Sequence, residues 1–397
     1  MAAPLYLDHA ATSPPLPAAR RAFDEAAAAA WANPGSLHAG GAAAARTLER
    51  ARRQLREALG ARAYRVVWTG TGTEANHLGI QGLARALRLR AESASRKAGG
   101  AATARVLVGA AEHASGFHPA KALAAEGFVV ETIPVDAGGV VRAAALAPLL
   151  APDVALVSVQ WANNELGSLN PIAELVAATR AAAPHAAFHC DAVQAAGKRV
   201  EPLDLLGADS VSVAAHKLGG VRGCAALLLR DGVTDPEPMF LGGGHEDGLR
   251  SGTENVMGAA AFAAAAAART QLLDADPRAL AARRAALLER LRAIAPDLVV
   301  LGPAAEAEQL GSILSVAVPG VRAETFLHIM EAEGVYVGSG SACHAHGTKA
   351  SRVLRAVGLA EELHDSVLRL SLCGSETDAE LERAAAAFEK AAAVFIG

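Results

Sequence analysis

The chain has 397 residues, 52% hydrophobic and 20% charged, with a formal net charge of −4. A single core stops growing near ~250–300 residues, so two domains, or a large domain with an appendage, are expected. The mildly acidic balance excludes nothing globular but offers no basic surface for nucleic acid or an anionic membrane.

The opening segment, Met1 to Pro17, has no basic stretch leading into an apolar one, so no signal peptide is expected. From there, short apolar runs alternate with alanine-rich helical stretches. Strands are predicted at 65–68, 105–110, 128–134, 154–160, 186–190, 210–214 and 224–229. Helices are predicted between them at 73–90, 116–125, 143–150 and 171–183. Strands separated by helices, several apolar throughout, imply a mostly parallel seven-stranded sheet covered on both faces. The stretch 88–104, rich in Ala, Ser, Gly and Arg, reads as an exposed elaboration. The alanine-rich run 258–268 is too short to span a bilayer and is followed by Arg269. A helical tract over 256–295 then precedes strands near 312–318 and 367–372. Residues 15–255 are therefore read as a large α/β domain, and 256–397, with 1–14 packed on it, as a smaller α+β domain. The four cysteines, Cys190, Cys224, Cys343 and Cys373, lie far apart without a CxxC pair. That spacing predicts neither a metal site nor a disulfide framework and fits a reducing cytoplasm.

Ligands of open α/β sheets sit at the carboxyl ends of strands, and five segments fall there. Gly70-Thr71-Gly72-Thr73 joins a strand to a helix and offers bare N–H groups and hydroxyls to a phosphate, although such turns often serve only as caps. Glu112-His113 follows the second strand, and Asn163-Asn164-Glu165-Leu166-Gly167 the fourth. Asp191 closes the fifth strand and Lys217 lies just past the sixth. A lysine able to form an imine and a carboxylate able to hold a pyridine nitrogen protonated are what a pyridoxal-phosphate (PLP) enzyme requires. In isolation Asp191 reads equally as a helix cap and Lys217 as a solvated charge. Two further segments lie beyond the sheet: the glycine-rich stretch Gly242 to Thr253, and Gly338 to Gly347. The latter sets Cys343 among small polar residues, with His344 and His346 beside it, whereas Cys190 and Cys224 sit among apolar neighbours.

These segments together resemble the cysteine desulfurases, PLP enzymes of the class V aminotransferase group with the fold-type I architecture. The likeness runs nearly end to end, from Tyr6-Leu7-Asp8-His9-Ala10-Ala11-Thr12 to Val367-Leu368-Arg369-Leu370-Ser371. Its most specific pieces are Thr73-Glu74-Ala75-Asn76, Asn163-Asn164-Glu165-x-Gly167, Asp191-x-x-Gln194, His216-Lys217, Arg250-Ser251-Gly252-Thr253 and Ser339-Gly340-Ser341-Ala342-Cys343. The resemblance implies that Lys217 binds PLP and shuttles protons. It implies that His113 stacks on the ring, that Asp191 pairs with the ring nitrogen, and that Gln194 and Asn164 lie near the phenolic oxygen. Gly72, Thr73 and His216 would hold the phosphate, with Thr253 reaching over from the second subunit of a homodimer. Arg369 would bind the carboxylate of L-cysteine. Cys343 would receive the sulfur as a persulfide and pass it to an acceptor, an iron–sulfur scaffold or a tRNA-thiolation protein. The interval from Cys343 to Ser351 resembles that of the subgroup with the longer loop, suited to delivery to partner proteins.

The sequence departs from the family pattern at four places. Ala214 replaces a phosphate-binding serine, Gly70-Thr71-Gly72 replaces Ser-Gly-Ala, Cys373-Gly374 follows the Arg369 strand, and His344, His346 and Lys349 crowd the cysteine loop. Other readings are a selenocysteine lyase or class V aminotransferase in which Cys343 is incidental, and a non-catalytic homologue serving as a sulfur-transfer scaffold.

Overall fold

The computed structural model describes residues 3–98, 104–339 and 351–395. Its strands are β1 (Leu5–Leu7), β2 (Tyr64–Thr69), β3 (Arg105–Gly109), β4 (Val129–Ile133), β5 (Val154–Ser158), β6 (Ala187–Asp191), β7 (Ser210–Ala214), β8 (Ala225–Arg230), β9 (Val299–Leu301), β10 (Ile313–Ala317), β11 (Val335–Ser339) and β12 (Val367–Ser371). Seven of them form one sheet in the order β2-β8-β7-β6-β5-β3-β4. β8 is antiparallel to both neighbours and every other pairing is parallel, so six strands point one way. The carboxyl ends of β2, β3, β5, β6 and β7 therefore share one edge. The strand order reverses between β3 and β5, which opens a crevice at that edge.

The helices before and between these strands are α1 (Pro17–Ala29), α2 (Ala39–Ala58), α3 (Gly72–His77), α4 (Leu83–Ala98), α5 (Ala114–Ala122), α6 (Ala143–Leu146) and α7 (Ile172–Ala182). The span 88–98, expected as an exposed elaboration, continues α4 instead, because its Ala, Arg and Glu residues are good helix formers. The predicted helix at 73–90 is one continuous run, but a π-helical turn, Leu78–Gly82, links α3 to α4. Its cause is visible in the packing. A Cβ at Gly79 would lie 2.4 Å from His189 Nδ1 and 3.0 Å from Leu227 Cδ1, so the helix meets the sheet where only glycine fits.

The tract expected over 256–295 is two helices, α8 (Val256–Ala275) and α9 (Ala279–Ile294). Pro277 separates them, since proline lacks an amide proton and pushes the preceding residue out of the helical region. Asp276 accordingly has φ −147° and ψ 87°. By length and composition α8 is apolar enough to cross a bilayer, but half of it is buried in the fold, packed on α1 and α2.

The second sheet has the order β1-β11-β12-β10-β9, with β1 parallel to β11 and the other pairs antiparallel. The helices α10 (Ala323–Ala332), α11 (Arg352–Ala356) and α12 (Asp378–Ala393) complete this part. Its core is separate from that of the large sheet and holds Phe326 and Phe388, whose rings meet edge-on at 4.8 Å. The N-terminal residues join it through β1.

The substitution Gly79→Ala should destabilise the protein by about 1–3 kcal/mol, the usual cost of overpacking a tight contact. Chemical denaturation of wild type and variant reads the difference, and an unchanged midpoint would show that the helix has room to move.

Candidate functional site

The shared strand edge is built from one residue type per turn. After β2 the chain passes Gly70 and Thr71, whose Oγ1 accepts the Glu74 amide at 3.1 Å and starts α3. A side chain at Gly72 would come within 3.1 Å of Val193 Cγ2 and 3.5 Å of the Ala214 Cβ, so this turn lies directly against the ends of β6 and β7. Thr73 is exposed on the first turn.

Asp191, only 6% exposed, ends β6. One of its oxygens accepts the Val193 amide at 3.0 Å and the other the Asn76 Nδ2 at 2.6 Å. Asn76 is fully buried on α3 and donates also to Ser115 Oγ at 2.9 Å. With both amide protons of Asn76 given away, its Oδ1 accepts from His189 Nε2 at 3.1 Å, and His189 Nδ1 accepts from Ser210 Oγ at 2.8 Å. Burial lowers the His189 pKa to about 3, in keeping with a neutral ring that donates only through Nε2. Ser115 Oγ in turn gives its proton to His113 Nδ1 at 2.7 Å, and the Ser115 amide donates to the same nitrogen at 3.1 Å. His113, whose pKa burial also lowers, against the pull of Asp191 and with help from Lys217, is thus neutral with its proton on Nε2.

Lys217 follows β7 and donates through Nζ to the carbonyls of Ala10 at 2.5 Å and Ala11 at 2.9 Å. Gln194 donates to the same Ala10 carbonyl at 2.8 Å and accepts from Lys198 Nζ at 3.1 Å. His216 contacts Thr12 Oγ1 through Nδ1 at 3.2 Å, and burial, with Lys217 adding, lowers its pKa to about 4. The N-terminal segment thus lies across the ends of β6 and β7 as their counterpart.

Arg369, 2% exposed on β12, donates to Asp8 Oδ1 at 2.8 Å and to the Asn164 carbonyl at 3.0 Å. Among the described residues its Nε is buried without a partner, and so is Asn164 Oδ1. A Cβ at Gly338 would sit 2.7 Å from Asp8 Oδ1 and 3.0 Å from Arg369 Nη2, so β11 needs glycine where it crosses this pair.

The edge is backed by acids. Glu112 is buried and accepts the Gln160 amide at 2.7 Å; its other oxygen has no partner among the described residues, and burial holds its carboxyl well above the ordinary range. Glu165 accepts Ser351 Oγ at 2.6 Å, and burial raises its pKa to about 7 against that bond and the charge of Arg369.

Lys217, Gln194, Asp191, His113 and Gly72 thus form one connected group, with His216 beside it, and Asn164 and Arg369 form a second. The structure does not bring Thr253 to them. It is exposed, while Arg250 of the same loop pairs with Glu74 at 2.7 Å and lies near Gly70. Cys343 lies outside the described residues. The chain leaves at Ser339, beside Arg369, and returns at Ser351 and Arg352, and Arg352 donates to the carbonyls of Ala110 and Glu112. Asn76, Ser115, His189, Asp8 and the Ala10 carbonyl had no role assigned from sequence. Asn76, Asp8 and Ala10 had a signal, since they fall in the family-like segments 73–76 and 6–12.

The family model for class-V aminotransferases matches residues 5–384. The chain is 37% identical over 383 residues to an IscS-like cysteine desulfurase of Mycobacterium tuberculosis, covering 96% of this chain and 94% of that protein. It is 31% identical over 368 residues to the cysteine desulfurase IscS of Dictyoglomus turgidum, covering 93% and 89%. Among solved structures, a NifS-like protein superposes with a TM-score of 0.88 at 27% identity, covering 99% of this chain and all of the other. A NifS-like protein from Rickettsia africae gives 0.84 at 28% identity, with 98% and 99% covered.

Two outcomes follow from the buried polar groups. Asn76→Ala leaves Asp191, His189 and Ser115 each short of a partner and should cost about 1–3 kcal/mol of stability, measured by denaturation at neutral pH. Glu165 holds its proton more tightly folded than unfolded, so it takes stability away as pH rises from 4.5 toward about 7. Glu165→Gln should flatten stability against pH across that window, and an unaltered profile would place the titration elsewhere.

Proposed function

The chain belongs to the class V aminotransferase family and is a PLP-dependent cysteine desulfurase of fold-type I architecture, and we propose that Lys217 binds the cofactor while Cys343 takes up the sulfur. The observation that carries the reading is that Asp191 and Lys217 stand at the carboxyl ends of the adjacent parallel strands β6 and β7, beside the tight turn at Gly72.

The residues present fit PLP. Asp191 is a buried carboxylate that forms no ion pair among the described residues, and a protonated pyridine nitrogen would answer it. Gly72 and Thr73, with His216, would receive the phosphate. Ala214 supplies no hydroxyl there, and Thr71 is already engaged as a helix cap. Thr253, exposed in this chain, would complete the phosphate site from the partner subunit of a homodimer. When bound, PLP supplies an electron sink for the bonds at the substrate α-carbon.

Each residue then has a task. Asp191, oriented by Asn76, would hold the proton on the ring nitrogen. Neutral His113, fixed by Ser115, would stack on the ring, and Asn164 and Gln194 would lie near its phenolic oxygen. Lys217 moves a proton between the α- and β-carbons of the substrate. Arg369 has a buried Nε with no partner among the described residues, and a substrate carboxylate would supply an acceptor. Cys343 attacks the thiol sulfur of L-cysteine: the Cβ–S bond breaks, an S–S bond forms on Cys343, and a proton replaces sulfur on the β-carbon. Cysteine and enzyme thiol thus become alanine and enzyme persulfide, with no external oxidant. The anchors at Ser339 and Ser351 flank Arg369 and Asn164, which favours a loop that reaches the substrate and then a sulfur-acceptor protein, an iron–sulfur scaffold or a tRNA-thiolation protein.

Residues 15–255 would form the cofactor domain, and 256–397 with 1–14 the domain that carries the cysteine loop. The described cysteines Cys190, Cys224 and Cys373 are unpaired, which favours the cytoplasm.

The test is alanine and sulfide formation from L-cysteine with a reductant. Wild type should turn over, Cys343→Ala should lose sulfide release by at least about 10²-fold, and Lys217→Ala should also lose the visible absorbance of the bound cofactor. A Cys343→Ala chain as active as wild type would overturn the role given to that thiol.

A further inference from the structure

Where the N-terminal segment meets the turn after β12 lies a cluster that the desulfurase chemistry does not use. The turn after β12 carries Cys373 and Glu376, and His9 faces them. A His9 ring nitrogen, Cys373 Sγ and a Glu376 oxygen all lie within 4.8 Å of one another. Among the described residues this is the only such trio of His, Cys and acidic side chains.

Each member is held by a neighbour. Glu376 receives the amides of Cys373 at 2.6 Å and Gly374 at 2.9 Å, one on each oxygen. Ser13 Oγ meets His9 Nδ1 at 3.2 Å, which leaves Nε2 for a ligand. Ser375 Oγ lies 3.1 Å from Cys373 Sγ. Outer hydrogen bonds of this kind fix metal ligands in place. His9 and Glu376 are 7% and 4% exposed. A cavity of about 440 Å³, lined in part by His9, Ser13, Arg269, Cys373 and Ser375, gives an ion a way in.

We infer that His9, Cys373 and Glu376 form a zinc site with its fourth position open to this cavity. The donor set selects the metal: one thiolate, one imidazole and one carboxylate suit zinc, whereas calcium and magnesium take oxygen alone. Tetrahedral zinc bonds of about 2.0–2.3 Å place ligands about 3.3–3.8 Å apart, so the trio closes by at most about 1.5 Å on binding. Cys373, the least buried member, is the one with room to move. Two basic side chains act on the cluster, Arg269, which donates to the Cys373 carbonyl at 2.9 Å, and the buried Lys198.

The ion would tie residue 9 to the turn after β12. Directly after residue 9 come the Ala10 and Ala11 carbonyls that hold Lys217, and Ser13 Oγ, which donates to the Lys217 carbonyl at 3.4 Å. An occupied site would therefore stiffen the strap over the cofactor lysine.

The test uses the full-length Cys343→Ala chain, so that the other reactive thiol is absent and turnover plays no part. Zinc is titrated against a chromophoric chelator, and cobalt(II) is added separately to record a thiolate-to-metal charge-transfer band. One equivalent of zinc should bind. Cys373→Ser and His9→Asn should each weaken it at least about tenfold, and Cys373→Ser should remove the cobalt band. Binding unaffected by Cys373→Ser, or no stoichiometric binding, would overturn the site. Should a substitution cost the fold, the cobalt spectrum of the parent chain decides, because Cys190 and Cys224 are sealed in the core.

Discussion

A carboxylate at the end of an apolar strand is costly to bury unless its oxygens are answered, and Asp191 sets that cost at the centre of the protein. The answer comes from Asn76, which must then be oriented by something else, and His189 and Ser210 do so from inside the sheet. The same amide reaches Ser115, and through it fixes which nitrogen of His113 carries the proton. One buried relay thus joins β6 and β7 to α3 and α5. The price of admitting it is local: His189 leaves no space for a side chain at Gly79, and the helix widens into a π turn there.

The second constraint is the strap formed by residues 8–13. Its Ala10 carbonyl receives both Lys217 and Gln194, its Asp8 holds Arg369, and its Ala10 amide donates to Ser371 Oγ at 2.8 Å. The Ser13 amide donates to the His216 carbonyl at 2.8 Å. β1, only three residues long, anchors the strap to the second sheet. Lys217 and Arg369 therefore stand on different sheets but share one short segment. Any movement between the sheets is felt at both.

Much of this was readable in advance wherever one residue type has one physical use. The seven strands of the large sheet stand within one or two residues of their expected places, because long apolar runs bounded by polar turns have few other solutions. Asp191 and Lys217 were placed on neighbouring strand ends by alternation alone. The short strands β1, β9 and β11 escaped, since three to five residues carry too little periodicity, and Tyr336 in β11 is 40% exposed. Alanine hid others: α1 and α2 were not anticipated, and the tract over 256–295 looked unbroken despite Pro277.

By itself, the sequence determined the strand and helix alternation, the turns that carry Gly72, His113, Asn164, Asp191 and Lys217, and the likeness to the desulfurases. These are local in origin, fixed by side-chain periodicity and backbone preference over a few residues. Only the tertiary structure decided which polar groups meet. Asn76 finds Asp191 across 115 positions, and Arg369 finds Asp8 across 361. His9 finds Cys373 and Glu376 from opposite ends of the chain. Such pairings are set by strand order and by the need to satisfy buried polar atoms, and neither quantity is written in any short stretch of residues.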